Sequence, residues 1–281
     1  MKIIQEHSVE AFTTSIQELL LQREAENNLP LGILKRLQES SSDENSILIK
    51  IEEEGRPVFM TMRTPPHLWI LPSIATVTSS HIKSLARYLF ENQFEVPGIL
   101  GEGEAVQQFI DAWVNITGEN PIIHMRQGIY RLNELRPIHM SEGELVEAKE
   151  CDFELVKKWL TWFGEETNEG TIKERTAEMA EEMIRTRRMY LWIVNGEAVS
   201  MAARARVTPH GVTINAVFTP DEYKRRGYAT QAVWTLTKKL LDQGYQFCSL
   251  YTDLDNHSSN SIYKKIGYEW VGNSIVYHFI D

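Results

Sequence analysis

The chain has 281 residues, 42% of them hydrophobic and 24% charged, which is enough for two ordinary domains or one large one. Its 29 basic and 39 acidic residues give a net charge of −10, which disfavours nucleic-acid binding, and its two cysteines argue against a disulfide framework or a structural zinc site. The charged start of the chain and the lack of any run of 18 apolar residues predict a cytoplasmic protein that is neither secreted nor membrane-spanning.

The first half predicts an alternation of strands and helices. After an opening helical region, two strands flank a turn at Glu54-Gly55-Arg56. The predicted elements are strands Ile47–Glu52, Val58–Met62 and Leu68–Leu71, helix Ile82–Phe90, the apolar segment Val96–Leu100, helix Ala105–Val114 and strand Ile122–Leu132. A polar break at Pro137–Glu144 separates this half from the next.

The second half has the clearer pattern. Apolar residues recur at helical spacing in Phe153–Phe163, and Asn195-Gly196 predicts a tight hairpin turn. The other predicted elements are a charged helix at Glu174–Arg187, strands Tyr190–Val194, Ala198–Val207 and Val212–Thr219, a helix from Tyr228 to Gly244, strand Phe247–Thr252, helix Ser259–Ile266 and strand Tyr268–Ile280.

The two halves repeat one order: three strands, a helix, a strand, a helix and a strand. Duplication explains this repetition, and so does chance recurrence of common elements; both stay open. The pattern therefore predicts an α/β (α+β) protein with mixed sheets flanked by helices, in domains 1–137 and 142–281.

The strongest chemical signal lies in residues 217–230. A strand, a turn and a basic loop lead there into a helix that opens near Tyr228, and the first amides of such a helix have no partner within it. Gly227 lets backbone approach an anion closely, and Ala229 is small. Lys224, Arg225 and Arg226 supply local positive charge. These features predict a phosphate site, the alternative being a solvated basic loop at the start of a surface helix.

This segment resembles the phosphate signature of the GNAT superfamily of acyl-CoA-dependent N-acyltransferases, Gln/Arg-x-x-Gly-x-Gly/Ala. Here it reads Lys224-Arg225-Arg226-Gly227-Tyr228-Ala229, so lysine replaces the usual first residue; it keeps the charge but loses the planar fork of arginine. A second family signature resembles Asn256 to Tyr268, one helix and one strand further on. The resemblance covers residues 142–281. Together with the repeated element order, it predicts a tandem arrangement with an intact C-terminal copy, in which residues 1–137 form a degenerate copy or an accessory domain.

The resemblance implies a site for acetyl-CoA. In this family two parallel strands splay apart, and the pantetheine arm pairs with the exposed backbone like an added strand. Carried over to this chain, that backbone belongs to Ala216, Val217, Phe218 and Thr219. The diphosphate then lies on the amides of Arg225, Arg226, Gly227, Tyr228, Ala229 and Thr230. Asn256 matches an asparagine that binds pantetheine, although an Asx turn capping the short helix also explains it.

The implied reaction is direct attack of a neutral amine on the thioester. The amide near Val217 would polarise the carbonyl, and Tyr263 matches the residue that protonates the leaving thiolate, its alternative being a core tyrosine. Residues 212–216 hold no carboxylate, so the base is open among Asp253, Glu165 or Glu166, and a water chain. Asp253 is the first candidate, against a plain turn carboxylate. The acidic loop at residues 253–257 does not define a metal site.

In the first half, Ser73–His81 occupies the place of the phosphate loop without glycine, arginine or lysine, which predicts that this copy, if it is a duplicate, has lost the cofactor.

For the whole chain, the resemblance implies an N-acetyltransferase that uses acetyl-CoA and a small-molecule or peptide amine. Aminoglycosides, polyamines, amino acids and protein N-termini all fit, as do a hydroxyl acceptor or a longer acyl chain. The alternative is a non-catalytic acyl-CoA-binding sensor or scaffold. Nothing in the pattern indicates an oligomeric state.

Overall fold

A computed structural model describes residues 1–39, 45–167, 172 and 174–280. The chain divides into two compact units, Met1–Ile129 with Val271–Asp281, and Tyr130–Trp270. The polar break at Pro137–Glu144 lies shortly after the first division point. The closing segment packs with the first unit, although its pattern was assigned to the second half. The domain limits 1–137 and 142–281 stay a prediction.

The first unit combines strands and helices. Its elements are β1 (Lys2–Glu6), α1 (Val9–Leu21), α2 (Asn28–Glu39), β2 (Ile47–Glu53), β3 (Arg56–Arg63), β4 (Trp69–Leu71), α3 (Ser79–Glu91), β5 (Gly98–Glu102), α4 (Gly103–Thr117), most of β6 (Asn120–Leu132) and, from the end of the chain, most of β12 (Glu269–Ile280). The opening helical region is thus two helices, preceded by a strand that no pattern predicted. A side-chain cap marks the start of α1, where the Ser8 hydroxyl accepts a hydrogen bond from the Ala11 amide at 3.1 Å.

The strands of the first unit follow the order β1-β2-β3-β4-β5-β12. Only β4 and β5 pair in parallel; the other neighbours are antiparallel. Buried apolar side chains from α1–α4 and from the sheet form one core, which includes Phe12, Phe59, Trp69, Phe109 and Trp113.

The second unit has the same kind of architecture. Its elements are β7 (Glu144–Glu147), α5 (Phe153–Glu166), α6 (Thr176–Arg185), β8 (Met189–Val194), β9 (Glu197–Val207), β10 (Gly211–Phe218), α7 (Tyr228–Asp242), β11 (Phe247–Asp253) and α8 (His257–Ile266). The strands of this unit follow the order β11-β10-β9-β8-β7, with β10 and β11 parallel. The hairpin turn at Asn195 and Gly196 has φ values of 51° and 80°, which confirms the predicted left-handed turn.

Two of the apolar clusters on this sheet are each formed with one pair of helices. One joins α7 and α8 to the strands and contains Val212, Ile214, Leu236, Leu250 and Tyr263. The other joins α5 and α6 to the strands and contains Trp159, Leu160, Met183, Met201 and Phe218. Each helix pair therefore buries its own set of strand side chains.

Both units follow the order strand, two helices, three antiparallel strands, helix, parallel strand and helix. In the first unit, the strand beside the parallel pair comes from the far end of the chain, since β12 lies beside β5. The predicted mixed α/β architecture and repeated element order are confirmed. The loss of cofactor binding by the first half stays a prediction. No helix in the described part of the chain is long and apolar enough to cross a bilayer.

The two cysteines differ in accessibility. Cys151 is exposed, whereas Cys248 is buried and burial raises its pKa to about 12. Since the thiolate is the reactive form, a thiol reagent is expected to label one cysteine per folded chain quickly and both in denaturant. Cys151→Ser should abolish the fast phase. Rapid labelling of two thiols in the folded protein would contradict the burial of Cys248.

Candidate active site

The parallel strands β10 and β11 separate part-way along their length. Their backbone pairing runs from Gly211 opposite Phe247 to Thr213 opposite Ser249. The Thr213 and Ser249 hydroxyls are 3.2 Å apart at this last pair. Beyond it β10 continues to Phe218 and β11 to Asp253 with no further pairing between them in the described chain. The sheet therefore offers unpaired backbone on the facing edges of both strands, the arrangement that the family resemblance implied.

A β-bulge lies in the separated part of β10. Asn215 pairs with Ala203, and Phe218 pairs with Met201, so β10 holds one extra residue between these pairs. Ala216 has a φ of 47°, a left-handed conformation that costs a non-glycine residue about 1–3 kcal/mol. A bulge redirects the side chains that follow it. Accordingly Ile214 packs toward α7 and α8, whereas Ala216 packs toward α5 and α6.

The end of β10 is held by Ser200 of β9. The Ser200 hydroxyl donates a hydrogen bond to the Phe218 carbonyl at 3.0 Å and lies 2.9 Å from the Thr219 hydroxyl. Of the four residues predicted to bind pantetheine, Phe218 therefore has its carbonyl engaged within the protein. Ala216 and Val217 lie in the separated part of β10, and no side chain of the described residues is hydrogen-bonded to their carbonyls.

The loop before α7 presents unpaired amides. Gly227 caps the helix with φ 82°, a conformation that favours glycine, and the first helical hydrogen bond joins the Gln231 amide to the Gly227 carbonyl at 3.1 Å. In the described structure, the six amides of residues 225–230 donate to no protein acceptor. Free amides and a helix dipole are the features of an anion-binding helix end, and phosphate binding here stays a prediction.

The three basic side chains of the loop differ in their partners. Arg225 and Arg226 are exposed and form no ion pair with the described residues. Lys224 contacts both carboxylate oxygens of Glu166 at 3.1 Å and Asp221 Oδ1 at 2.8 Å. Burial alone lowers the pKa of Lys224, but its hydrogen bonds to Asp221 and Glu166 outweigh burial and raise the pKa overall.

Two contacts beside the loop were not predicted. The Tyr223 hydroxyl donates a hydrogen bond to Glu197 at the start of β9, which raises the pKa of Tyr223. Gln231 in the first turns of α7 is buried, and its Oε1 accepts from the Ser141 amide at 2.8 Å. These partners lie 26 and 90 residues away along the chain, so no local pattern indicates them.

Comparisons with known proteins agree with this geometry. Residues 190–276 match a family model described as FR47-like protein. A GNAT-family acetyltransferase from Colwellia psychrerythraea matches with 11% identity and a TM-score of 0.61, over 100% of both chains. A GCN5-related N-acetyltransferase from Sphaerobacter thermophilus matches with 12% identity and a TM-score of 0.66, over 98% of this chain and 94% of that one.

A tandem GNAT protein from the clavulanic acid biosynthesis pathway matches with 11% identity and a TM-score of 0.57, over 98% of this chain and 97% of that one. No protein of curated function matches the sequence. The chain has the GNAT fold. At these identities the likeness establishes the fold and leaves the chemistry to the residues of the site.

Within the GNAT fold, Asn256 occupies the start of the second signature. Its Oδ1 accepts a hydrogen bond from the Ser259 amide at 3.0 Å, so it caps α8 as the alternative interpretation held. Its contact with pantetheine stays a prediction. Asn260, one turn later, donates to the carbonyls of Asp253, Leu254 and Asn256, while its Oδ1 is buried and has no partner in the described structure.

Two of the carboxylates considered as the general base already have partners within the protein. Asp253 Oδ1 accepts from the Asp255 amide at 2.9 Å, which makes it a turn carboxylate, and Glu166 is paired with Lys224. Asn215, beside the bulge, has a buried Oδ1 without a hydrogen-bond partner among the described residues. In the same residues, no group of three or more histidine, cysteine or acidic side chains forms a metal site.

Tyr263 lies in the cluster that packs under α7 and α8. It is 6% exposed, and its ring meets Tyr268 edge-on with 6.0 Å between centroids. Burial raises the pKa of Tyr263 well above the usual phenol value, although a hydrogen bond with Ser259 partly opposes this. The phenol is therefore protonated at neutral pH. Its part in catalysis stays a prediction, because a core tyrosine has the same features.

In the first unit, the corresponding parallel strands, β4 and β5, do not separate. Pairing of β4 with β5 continues to Leu71 opposite Gly101, where β4 ends. The Ser73 amide donates to Asn27 Oδ1 at 2.8 Å, and the Asn27 amide donates to the Ser73 carbonyl at 2.9 Å. The backbone after β4 is thus already hydrogen-bonded, unlike the separated part of β10.

The start of α3 in the first unit is also occupied. The Thr78 hydroxyl accepts from the His81 amide, and His81 Nδ1 accepts from the Thr78 amide at 3.1 Å, a capping box that uses two of the free donors. The other ring nitrogen of His81 is 3.0 Å from a carboxylate oxygen of Glu53, whose pKa the hydrogen bond lowers. A carboxylate at this end opposes the binding of an anion.

Proposed function

We propose that this protein is an N-acetyltransferase that moves the acetyl group of acetyl-CoA to an amine. One observation carries the proposal: six unpaired amides at the start of α7, which include those of two exposed arginines, are joined by a short loop to a strand that has separated from its parallel neighbour. An anion-binding helix end beside a strip of free strand backbone suits a ligand that has a diphosphate at one end and a peptide-like arm.

The residues present fit acetyl-CoA. Its diphosphate would lie on the amides of residues 225–230, with Arg225 and Arg226 neutralising its charge. Its pantetheine arm would pair with backbone at Ala216 and Val217. A Cβ placed on Gly227 would meet only Gln231 Nε2 at 3.8 Å, so the helix start is open to a ligand. The acetyl thioester supplies the activated carbonyl.

Three groups of the chain would act on the reacting atoms. An amide in the bulge near Val217 would donate to the thioester oxygen as negative charge develops there. Asn215 Oδ1 is uncharged, so it would accept a hydrogen bond from the amine and orient it, and the proton would leave through water. Tyr263 would donate a hydrogen bond to the departing sulfur. A phenol pKa is already above that of a thiol and burial raises the pKa of Tyr263 further, so hydrogen bonding is favoured over full proton transfer.

A non-catalytic acyl-CoA-binding sensor or scaffold is the second candidate. The observation that favours it is that most of the candidate bases are engaged: β10 contributes an asparagine, Asp253 lies in a turn, and Glu166 is paired, which leaves the exposed Glu165 and water. A sensor needs the amides of residues 225–230 but no base. The two functions therefore differ in turnover and agree in ligand binding.

We further propose that only the second unit binds the cofactor. In the first unit, β4 is paired with β5 to its last residue, and the Asn27 side chain is hydrogen-bonded to the backbone of Ser73. The start of α3 is capped by side chains of the same segment. Opening this region would break these hydrogen bonds, each worth roughly 1 kcal/mol. A second acetyl-CoA is not expected on the first unit.

Calorimetric titration tests binding, and we expect one acetyl-CoA per chain. Thiol release from acetyl-CoA is then followed with polyamines, aminoglycosides, amino acids and peptides with a free N-terminus, in the Cys151→Ser background so that the exposed protein thiol does not react. Steady release with an amine supports the transferase. Tight binding without release supports the sensor, and absence of binding contradicts both.

A further inference from the structure

We propose, on the basis of the proposed function, that Lys224 does not contact the cofactor but is a positioning residue that ties the phosphate loop to Glu166 of α5. The charge of the diphosphate then falls to Arg225 and Arg226 alone. This assignment differs from the sequence expectation, in which all three basic residues of the loop face the ligand.

The donors of Lys224 are already used. A lysine ammonium has three N–H groups, and Lys224 Nζ has three carboxylate oxygens in hydrogen-bonding range: Glu166 Oε1 and Oε2 at 3.1 Å and Asp221 Oδ1 at 2.8 Å. A phosphate oxygen would have to displace one of these carboxylates. The amides of residues 225–230 and the two arginines require no such exchange.

The charge around Lys224 also disfavours a contact between this residue and the diphosphate. One ammonium and two carboxylates form a cluster with a net charge of −1, which repels an approaching diphosphate. Arg225 and Arg226 together bring +2 and have no ion-pair partner among the described residues. The attractive charge of the loop therefore lies after position 224.

The place of Lys224 in the chain suits a positioning role. It directly follows the short 3-10 turn Asp221–Tyr223, and its amide donates to the Pro220 carbonyl at 3.1 Å. The turn is fixed on one side by Lys224 to Glu166, at the end of α5, and on the other by Tyr223 to Glu197, at the start of β9. Two anchors thus precede the unpaired amides.

The loop needs such anchors because its conformation is uncommon. Arg225 and Gly227 both have positive φ, 64° and 82°. An arginine in this region is strained by about 1–3 kcal/mol, so a free loop would relax to other conformations. Binding is stronger when the binding groups are held in place beforehand. The ion pair with Glu166 would supply part of that organisation.

Glu166→Gln gives a test in which two models predict opposite signs. If the ion pair organises the loop, removing the carboxylate should weaken coenzyme A binding about three- to tenfold. If Lys224 leaves Glu166 to bind the diphosphate, the same change removes a competing negative charge and should tighten binding. Calorimetric titration of the full chain with coenzyme A measures the difference.

Further variants test whether the effect comes from the Lys224–Glu166 ion pair. Lys224→Gln should weaken binding about as much as Glu166→Gln, and the double variant no more than either, because both remove one interaction. Arg225→Gln should reduce the dependence of log Kd on salt concentration, whereas Lys224→Gln should leave it unchanged. Asp242→Asn is the control, since it opens the exposed Lys238–Asp242 pair at the other end of α7, and should bind like the wild type.

The outcomes separate this inference from the function on which it rests. If the Glu166→Gln variant binds coenzyme A as tightly as the wild type, or more tightly, the positioning role is overturned and the proposed function is unaffected. A reduced salt dependence in Lys224→Gln equal to that in Arg225→Gln also overturns it. A wild-type chain that does not bind coenzyme A overturns the proposed function and this inference together.

Discussion

A chain carrying Gly227→Glu is expected to lose acetyl-CoA binding by a factor of at least about one hundred. The new carboxylate would stand at the helix start where the diphosphate is proposed to lie. Two unit charges about 5 Å apart repel by about 3 kcal/mol at an effective dielectric constant of about 20, which is on the order of a hundredfold in affinity. Calorimetric titration measures the loss.

Backbone strain has to be separated from this charge effect. Gly227 has φ 82°, and a side chain there meets only Gln231 Nε2 at 3.8 Å, so replacement costs conformational energy without a clash. Gly227→Asn is the neutral control, because asparagine tolerates the left-handed region better than most residues. It should keep acetyl-CoA binding within about tenfold of the wild type.

A second control uses the other end of the same helix. Gly244 follows α7, has φ 99°, and would meet nothing within 4 Å if it carried a Cβ. Gly244→Glu therefore introduces the same residue into a similar backbone conformation, away from the proposed site. It should reduce stability by about 1 kcal/mol and leave acetyl-CoA affinity unchanged. Full affinity in Gly227→Glu would remove the main support for the phosphate site.

The parts of this structure that depend on neighbouring residues were predictable. The Asn195-Gly196 turn, the helix that begins at Tyr228 and the glycine after α7 all follow from dihedral preferences or apolar spacing within a few residues. The unpaired amides before Gln231 follow in turn from the start of that helix. Local signals therefore led to the central feature of the candidate site.

The features that depend on distant pairing were not predictable. The apolar pattern of residues 268–280 indicated a strand, but nothing in it shows that β12 pairs with β5. The bulge at Ala216 arises from the register of β10 against β9, and alanine carries no signal for a positive φ. The Lys224–Glu166 pair joins residues 58 apart. Each of these three features depends on contacts between segments that are far apart in the sequence.

Replacing Tyr263 by phenylalanine is expected to lower kcat about a hundredfold while acetyl-CoA affinity stays near the wild-type value. The change deletes one hydroxyl, and loss of a group that assists the departing sulfur costs roughly 10²–10⁴-fold in rate. The ring itself stays, so the packing against Tyr268 is kept. The measurement is thiol release with an amine that the screen identifies, alongside calorimetric titration.

Tyr268→Phe is the matched control. Tyr268 is 2% exposed in the same cluster, and its hydroxyl lies 2.9 Å from the Thr237 hydroxyl. Burial raises the pKa of Tyr268 as well, so both phenols are protonated in the folded protein. Losing the Thr237 contact should cost about 1 kcal/mol of stability and leave kcat unchanged. Equal loss of kcat in both variants would mean that core packing, and not the Tyr263 hydroxyl, limits turnover.

The pH dependence separates a hydrogen-bond donor from an acid that ionises near neutrality. Because burial raises the pKa of Tyr263, its hydroxyl keeps its proton through the range in which an ordinary phenol loses it, near pH 10. The wild-type kcat should therefore show no fall up to that pH that the Tyr263→Phe variant lacks. A fall near pH 9 that disappears in the variant would mean that Tyr263 is exposed to solvent when the cofactor is bound, and that its burial in the free protein does not describe its state during the reaction.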